Sequence, residues 1–229
     1  MLTRTTTTTT SDHPWDEIFQ AVTTAIGRSF RAGIGVLLQE TPHRDPFRVL
    51  ISTIISLRTR DEVTIAASRR LFAHADTPAT VLELTRDLLE ECLYPAGFYR
   101  TKAESITKIC RILLEQYAGE VPSTMEELLA LPGVGRKTAN LVLSAGFGVP
   151  AICVDIHVHR ISNRCGWVAT RAPEQTESAL REILPMNYWI PINEWLVGFG
   201  QQVCTAASPR CSTCPLSQRC PRIGVSRWR

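Results

Sequence analysis

Four cysteines toward the end of this 229-residue chain, Cys204, Cys211, Cys214 and Cys220, form a C-x6-C-x2-C-x5-C run. Thiolates gathered this densely suit zinc or an iron–sulfur cluster. Zinc sites of this size pair two short C-x2-C knuckles, and here only Cys211 and Cys214 have that spacing. The longer, uneven flanking gaps favour a cubane, whose ligands must reach separated irons. A second constellation lies upstream, in LPGVGRKTAN (Leu131–Asn140). Its Pro-Gly-Val-Gly turn joins two helices, and glycines permit a close backbone approach that a Cβ would block. The helix that follows starts with free N–H groups and the positive end of its dipole, which together suit a phosphate. Gly133, Val134, Gly135 and Arg136 are therefore candidate contacts to a nucleic-acid backbone, made without reading sequence. Lys137, in the first turn, reads either as a solvated phosphate contact or as a nucleophile. In the second reading, partial burial and the local positive potential free its amine. Asp155, in Val154-Asp155-Ile156-His157, has apolar neighbours, where an unpaired carboxylate would be costly. An amine and a carboxylate beside one phosphate-binding turn could perform acid–base and covalent chemistry on a nucleotide.

The elements that must position these residues all read as helices. Ile18, Phe19, Val22 and Ile26 share a helix face after Trp15, and Phe47, Leu50, Ile51, Ile54 and Ile55 share another after the start signal Asp45-Pro46. Helices are expected over 61–72, 85–93 and 102–117. Ser123 with Glu126 predicts a capping box for a short helix ending at Ala130. Further helices are expected over 136–144, 157–167, 173–184 and 193–203. No strand alternation and no repeat of solenoid length is present, so the fold class is all-α.

Apolar content of 44% is ordinary for a globular chain, and the formal net charge is only +3. A typical cluster with its thiolates adds about two negative charges, so bulk charge does not announce a nucleic-acid binder. Distribution says more: Arg210, Arg219, Arg222, Arg227 and Arg229 crowd the C-terminal end without an acid among them. They serve as solvated surface or as phosphate contacts. The tract Thr5–Thr10 has nothing to bury, so residues 1–13 are expected to be disordered. No apolar signal segment and no bilayer-spanning run is found, which predicts a cytoplasmic protein with no membrane partner and few disulfides. Cys92, Cys110, Cys153 and Cys165 are dispersed among apolar residues and read as small buried hydrophobes.

LPGVGRKTANLVL (Leu131–Leu143), VDIHVHRISNR (Val154–Arg164) and the Cys204–Cys220 run together closely resemble endonuclease III, a family of helix-hairpin-helix DNA glycosylases. The resemblance covers about residues 15–221. It implies two lobes: a six-helix bundle over residues 39–149 carrying the hairpin, and a lobe of residues 14–38 with 150–229 holding a [4Fe–4S] cluster. The implied partner is double-stranded DNA containing damaged pyrimidines or abasic sites, bound by a monomer across the cleft between the lobes. The implied activity is base-excision repair: removal of oxidised or ring-saturated pyrimidines of the thymine glycol class, then strand cleavage at the abasic site. In that scheme Lys137 attacks C1′ and forms a Schiff base, and Asp155 accepts its proton or stabilises charge on the sugar. Cys204, Cys211, Cys214 and Cys220 match the cluster ligands. The damaged base must leave the stack, and the family fills the gap from two loops, here Ser56–Asp61 and Gly97–Tyr99. Phe98 is the apolar candidate. Arg58 stands where bacterial members place glutamine, and a guanidinium stacks and donates but accepts no hydrogen bond. His157, following the aspartate as in the family, joins the DNA-binding candidates. The loop Thr205–Arg210 has one arginine where the family is often richly basic. The rival readings are a monofunctional mismatch glycosylase, against which Lys137 argues, and a non-catalytic DNA-binding or redox-sensing cluster protein.

Overall fold

The computed structural model describes residues 13–27, 30, 33–40 and 44–229. The Thr5–Thr10 tract and its expected disorder lie outside the described residues. Among the described residues the chain is helical, with no strand. In chain order the α-helices are α1 Trp15–Ile26, α2 Gly33–Gln39, α3 Pro46–Ser56, α4 Asp61–His74, α5 Pro78–Glu83, α6 Arg86–Leu93 and α7 Tyr99–Gln116. They continue as α8 Met125–Ala130, α9 Arg136–Leu141, α10 Ile156–Arg164, α11 Pro173–Ile183 and α12 Ile192–Gln202. None is long and apolar enough to cross a membrane.

Local chemistry accounts for several starts. Asp45 accepts from the Arg48 N–H at 2.9 Å and Pro46 occupies the first turn, so α3 begins where the sequence signals it. Asp155 caps α10, and Pro173 opens α11. The cap of α8 is Thr124, not Ser123: its Oγ1 accepts from the Glu127 N–H and donates to the Glu127 carboxylate at 2.6 Å. The Thr124–Glu127 pair has the same spacing as Ser123–Glu126, one residue on, so the local pattern alone left the register open. Helices α2 and α5 are additional to those expected from the sequence. The second is a single helical segment of six residues, opened by a reciprocal Thr77–Thr80 cap rather than a Glu or Gln. The helix expected over 136–144 runs as α-helix only to Leu141 and then widens into a π-helical turn, Val142–Phe147.

The apolar faces close into two cores. One gathers α3 to α9 and the π-turn around Leu50, Ile51, Ile54, Leu71, Ile106, Ile109 and Leu113. The other packs Phe19 and Val22 of α1 with Ile161 of α10, Leu180 of α11 and Leu196 and Phe199 of α12. The chain passes from one core to the other between Ala151 and Ile152.

Candidate active site and thiol cluster

Helices α9 and α10 deliver Lys137 and Asp155 to one open cleft of about 1090 Å³. Arg58, Thr59, Asp61, Arg136, Asn140, His157, Glu177 and Asn193 share its lining. The two helix starts differ. Gly135 opens α9 without a side-chain cap, which leaves its first-turn donors to solvent or a ligand. Gly133 takes a left-handed φ of 78°, which makes the turn sharp enough to bring α9 back beside α8. At α10, the Asp155 Oδ1 accepts the N–H groups of His157 and Val158, both at 2.9 Å. The carboxylate that the sequence left unpaired among apolar neighbours is thus held by two backbone donors, with one oxygen clear of the cap.

Lys137 is exposed rather than partly buried, because it sits on the solvent side of the first turn of α9. His157 is half-buried in the cleft lining, and its Nδ1 lies 3.0 Å from Arg160 Nη2. Burial holds its imidazole below the ordinary value, helped by Arg160 and Lys137 and opposed by Asp155. Val134, a candidate backbone contact of the hairpin, has its side chain buried in the core, and its N–H donates to the Leu131 carbonyl at 3.1 Å. Arg136 reaches the cleft, but its guanidinium is committed. It donates to both oxygens of the buried Glu177, at 2.8 and 3.1 Å, and this bidentate pairing raises its pKa. Arg181 meets the same carboxylate at 3.3 Å. Nothing in the local sequence signals Glu177.

The two loops singled out for filling a vacated stack lie side by side. The Arg58 guanidinium sits 5.6 Å from the Phe98 ring centroid, and Phe98 is 63% exposed. Arg58 lines the cleft, whereas Phe98 is not part of its lining. Beneath them Lys102 is 6% exposed, a position no sequence signal marks as special; burial lowers its pKa to about 8.

In the second core, Cys204, Cys211, Cys214 and Cys220 line one small hollow with Phe199, Val203 and Leu216. None of the cysteines is paired in a disulfide. Cys165 faces the same hollow, although the sequence reads it as an ordinary buried hydrophobe. It shares a hydrogen bond with Cys220, which holds the Cys220 thiol down to about 6 and pushes that of Cys165 well above its ordinary value. Arg164 and Arg160 tie α10 to this segment. Arg164 donates to the Cys204 Sγ at 3.6 Å and the Thr205 carbonyl at 2.7 Å; Arg160 donates to the Cys204 carbonyl at 3.0 Å. Among the described residues no three His, Cys, Asp or Glu side chains group around a single ion. Four thiols spread around an apolar hollow, with arginines beside them, fit an anionic multi-iron cluster in donor type and charge.

The pattern of the HhH-GPD superfamily of base excision DNA repair proteins matches residues 51–186. Endonuclease III of Thermotoga maritima is 54% identical over 176 residues, covering 77% of this chain and 83% of that protein. Among solved structures, a non-covalent endonuclease III–DNA complex superposes with a TM-score of 0.79 at 35% identity, covering 91% of this chain and 94% of that one. A trapped covalent endonuclease III–DNA intermediate matches with a TM-score of 0.74 at 36% identity, over 89% and 96% of the two chains.

Proposed function

The chain belongs to the HhH-GPD superfamily of base excision DNA repair proteins and, within it, to the endonuclease III family, and we propose that it acts on oxidised or ring-saturated pyrimidines in double-stranded DNA. It is a base-excision repair enzyme, a bifunctional DNA glycosylase and abasic-site lyase. The observation that carries the residue assignment is the placement of Lys137 and Asp155 in one cleft, at the start of the hairpin's second helix and at the start of α10.

The Lys137 amine attacks C1′ of the damaged nucleotide as the bond from C1′ to the base breaks, and the base leaves with the bonding electrons. Asp155 takes the proton from the amine, or balances positive charge on the sugar. Its cap donors fix one oxygen and leave the carboxylate aimed. The sugar opens to a Schiff base on Nζ, loss of a C2′ proton follows, and the 3′ C–O bond breaks. A base that stacks badly costs less to extrude, which supports selectivity for ring-saturated lesions. Gly133 and Gly135 open the α9 turn to a backbone phosphate, with the uncapped helix start behind them. Arg58 and Phe98 occupy the space that the extruded nucleotide leaves, and His157 lines the pocket that receives it.

Cys204, Cys211, Cys214 and Cys220 would hold a [4Fe–4S] cluster, which when bound supplies a covalent cross-link among the loops that close the second core. The protein acts as a monomer.

A duplex carrying one thymine glycol tests the reading. Direct strand cleavage leaving an unsaturated aldehyde on the 3′ end is expected. Base loss with strands that break only in hot alkali would instead mark a monofunctional glycosylase.

A further inference from the structure

Lys102 spends a buried ammonium on a place where the reaction needs none. From the first turn of α7 its Nζ donates to the Ile55 carbonyl at 2.6 Å, the Leu57 carbonyl at 2.6 Å and the Thr59 Oγ1 at 2.7 Å. Three donors meet three oxygens, which is the full capacity of an ammonium. All three oxygens belong to the end of α3 and the loop that carries Arg58. Thr59 extends the link to the second loop, because the Gly97 N–H donates to the same Oγ1 at 3.2 Å. Lys102, Thr59 and Gly97 therefore form one chain of hydrogen bonds across the two loops.

The backbone confirms how closely the loops are fitted. A Cβ on Gly97 would lie 2.5 Å from the Arg58 carbonyl oxygen, so only glycine allows this approach. Arg58 and Phe98 both hold left-handed backbone angles, with φ of 53° and 58°. Non-glycine residues adopt that region at a cost, and they keep it only where the surroundings over-determine it. What results is a guanidinium beside an exposed phenyl ring, two flat groups suited to stacking on bases.

We propose that Lys102 is a positioning residue that locks the two loops together, so that Arg58 and Phe98 enter the DNA as one preassembled pair when the damaged base leaves the stack. This rests on the reading of Arg58 and Phe98 given above. Preassembly matters most when a base must be expelled and replaced, and least when the base is already gone. The two substrates of this enzyme therefore separate a positioning role from a merely structural one.

The test uses the full-length, cluster-loaded protein with Lys102→Met, Thr59→Val and Thr59→Ser. Single-turnover base release from a thymine glycol duplex is measured beside strand cleavage of a preformed abasic duplex. Lys102→Met and Thr59→Val should slow base release on the order of tenfold to a hundredfold while abasic cleavage changes little. Thr59→Ser, which keeps the hydroxyl, should restore the wild-type rate. Equal losses on both duplexes, matched by a lower urea midpoint, would show a structural strut only and overturn the proposal. So would an unchanged rate on thymine glycol. A variant carrying Arg58→Ala with Phe98→Ala separates the premise from the inference. Slow base release there with normal rates in Lys102→Met removes only the role of Lys102, and normal rates in both remove the reading of the loops as well.

Discussion

Two lysines, 35 positions apart in sequence, show how surroundings divide the work. Lys137 stands exposed at an uncapped helix start in the cleft, where its amine can meet a substrate. Lys102 is almost wholly buried, and each of its donors is spoken for by a protein oxygen. In the reading proposed above, the same side chain is a reagent in one place and a brace in the other. The uncapped start of α9 and the carboxylate-capped start of α10 repeat the contrast: one helix leaves its first-turn donors without a side-chain cap, the other uses them to hold Asp155.

The largest expected effect is the exchange of the two lysines' fates. Lys137→Ala should remove strand cleavage of an abasic duplex outright, whereas Lys102→Met should leave it nearly intact, as a denaturing gel will show. Asp155→Asn comes next. Asparagine still accepts the two cap N–H groups, so the unfolding free energy in urea should hold within about 1 kcal/mol of wild type. The carboxylate's proton chemistry is lost, and base release should fall about a hundredfold to ten-thousandfold. A matching loss of stability would mean that Asp155 serves the fold more than the reaction.

Arg136→Ala probes the buried side of the cleft wall. It leaves the Glu177 carboxylate with Arg181 alone and should destabilise the protein by about 1–3 kcal/mol in urea unfolding. Because half of the Arg136 side chain meets solvent, the lower end of that range is expected. The smallest effect concerns His157, whose pKa burial and Arg160 hold below 6.5. As pH falls through 6.5 the unfolded chain takes the proton first, so folding stability should decline there. His157→Gln should flatten that part of the stability–pH curve, and a curve that keeps its slope would assign it elsewhere.

Much of the candidate site was legible because it is written locally. The hairpin turn, the first-turn position of Lys137 and the spacing of the four cysteines each occupy a few consecutive residues. Asp155 and Asp45 read as starts or costly acids, and both turn out to be caps. What sequence could not give were partnerships across long separations. Lys102 looks like any amphipathic-helix lysine until α7 lays it under a loop more than 40 positions away. Glu177 takes its place in the cleft wall from Arg136, 41 positions before it. Cys165 joins the four cysteines because α10 ends beside their hollow, not because of its spacing. Helix α5 was too short for a periodic signal.

The most direct measurement is borohydride trapping on two duplexes, one with thymine glycol and one with an abasic site, using wild-type protein and Lys137→Ala. The account predicts a covalent adduct on both duplexes with wild type and on neither with the variant. An adduct that survives in Lys137→Ala, or none on either duplex with wild type carrying an intact cluster, would contradict it.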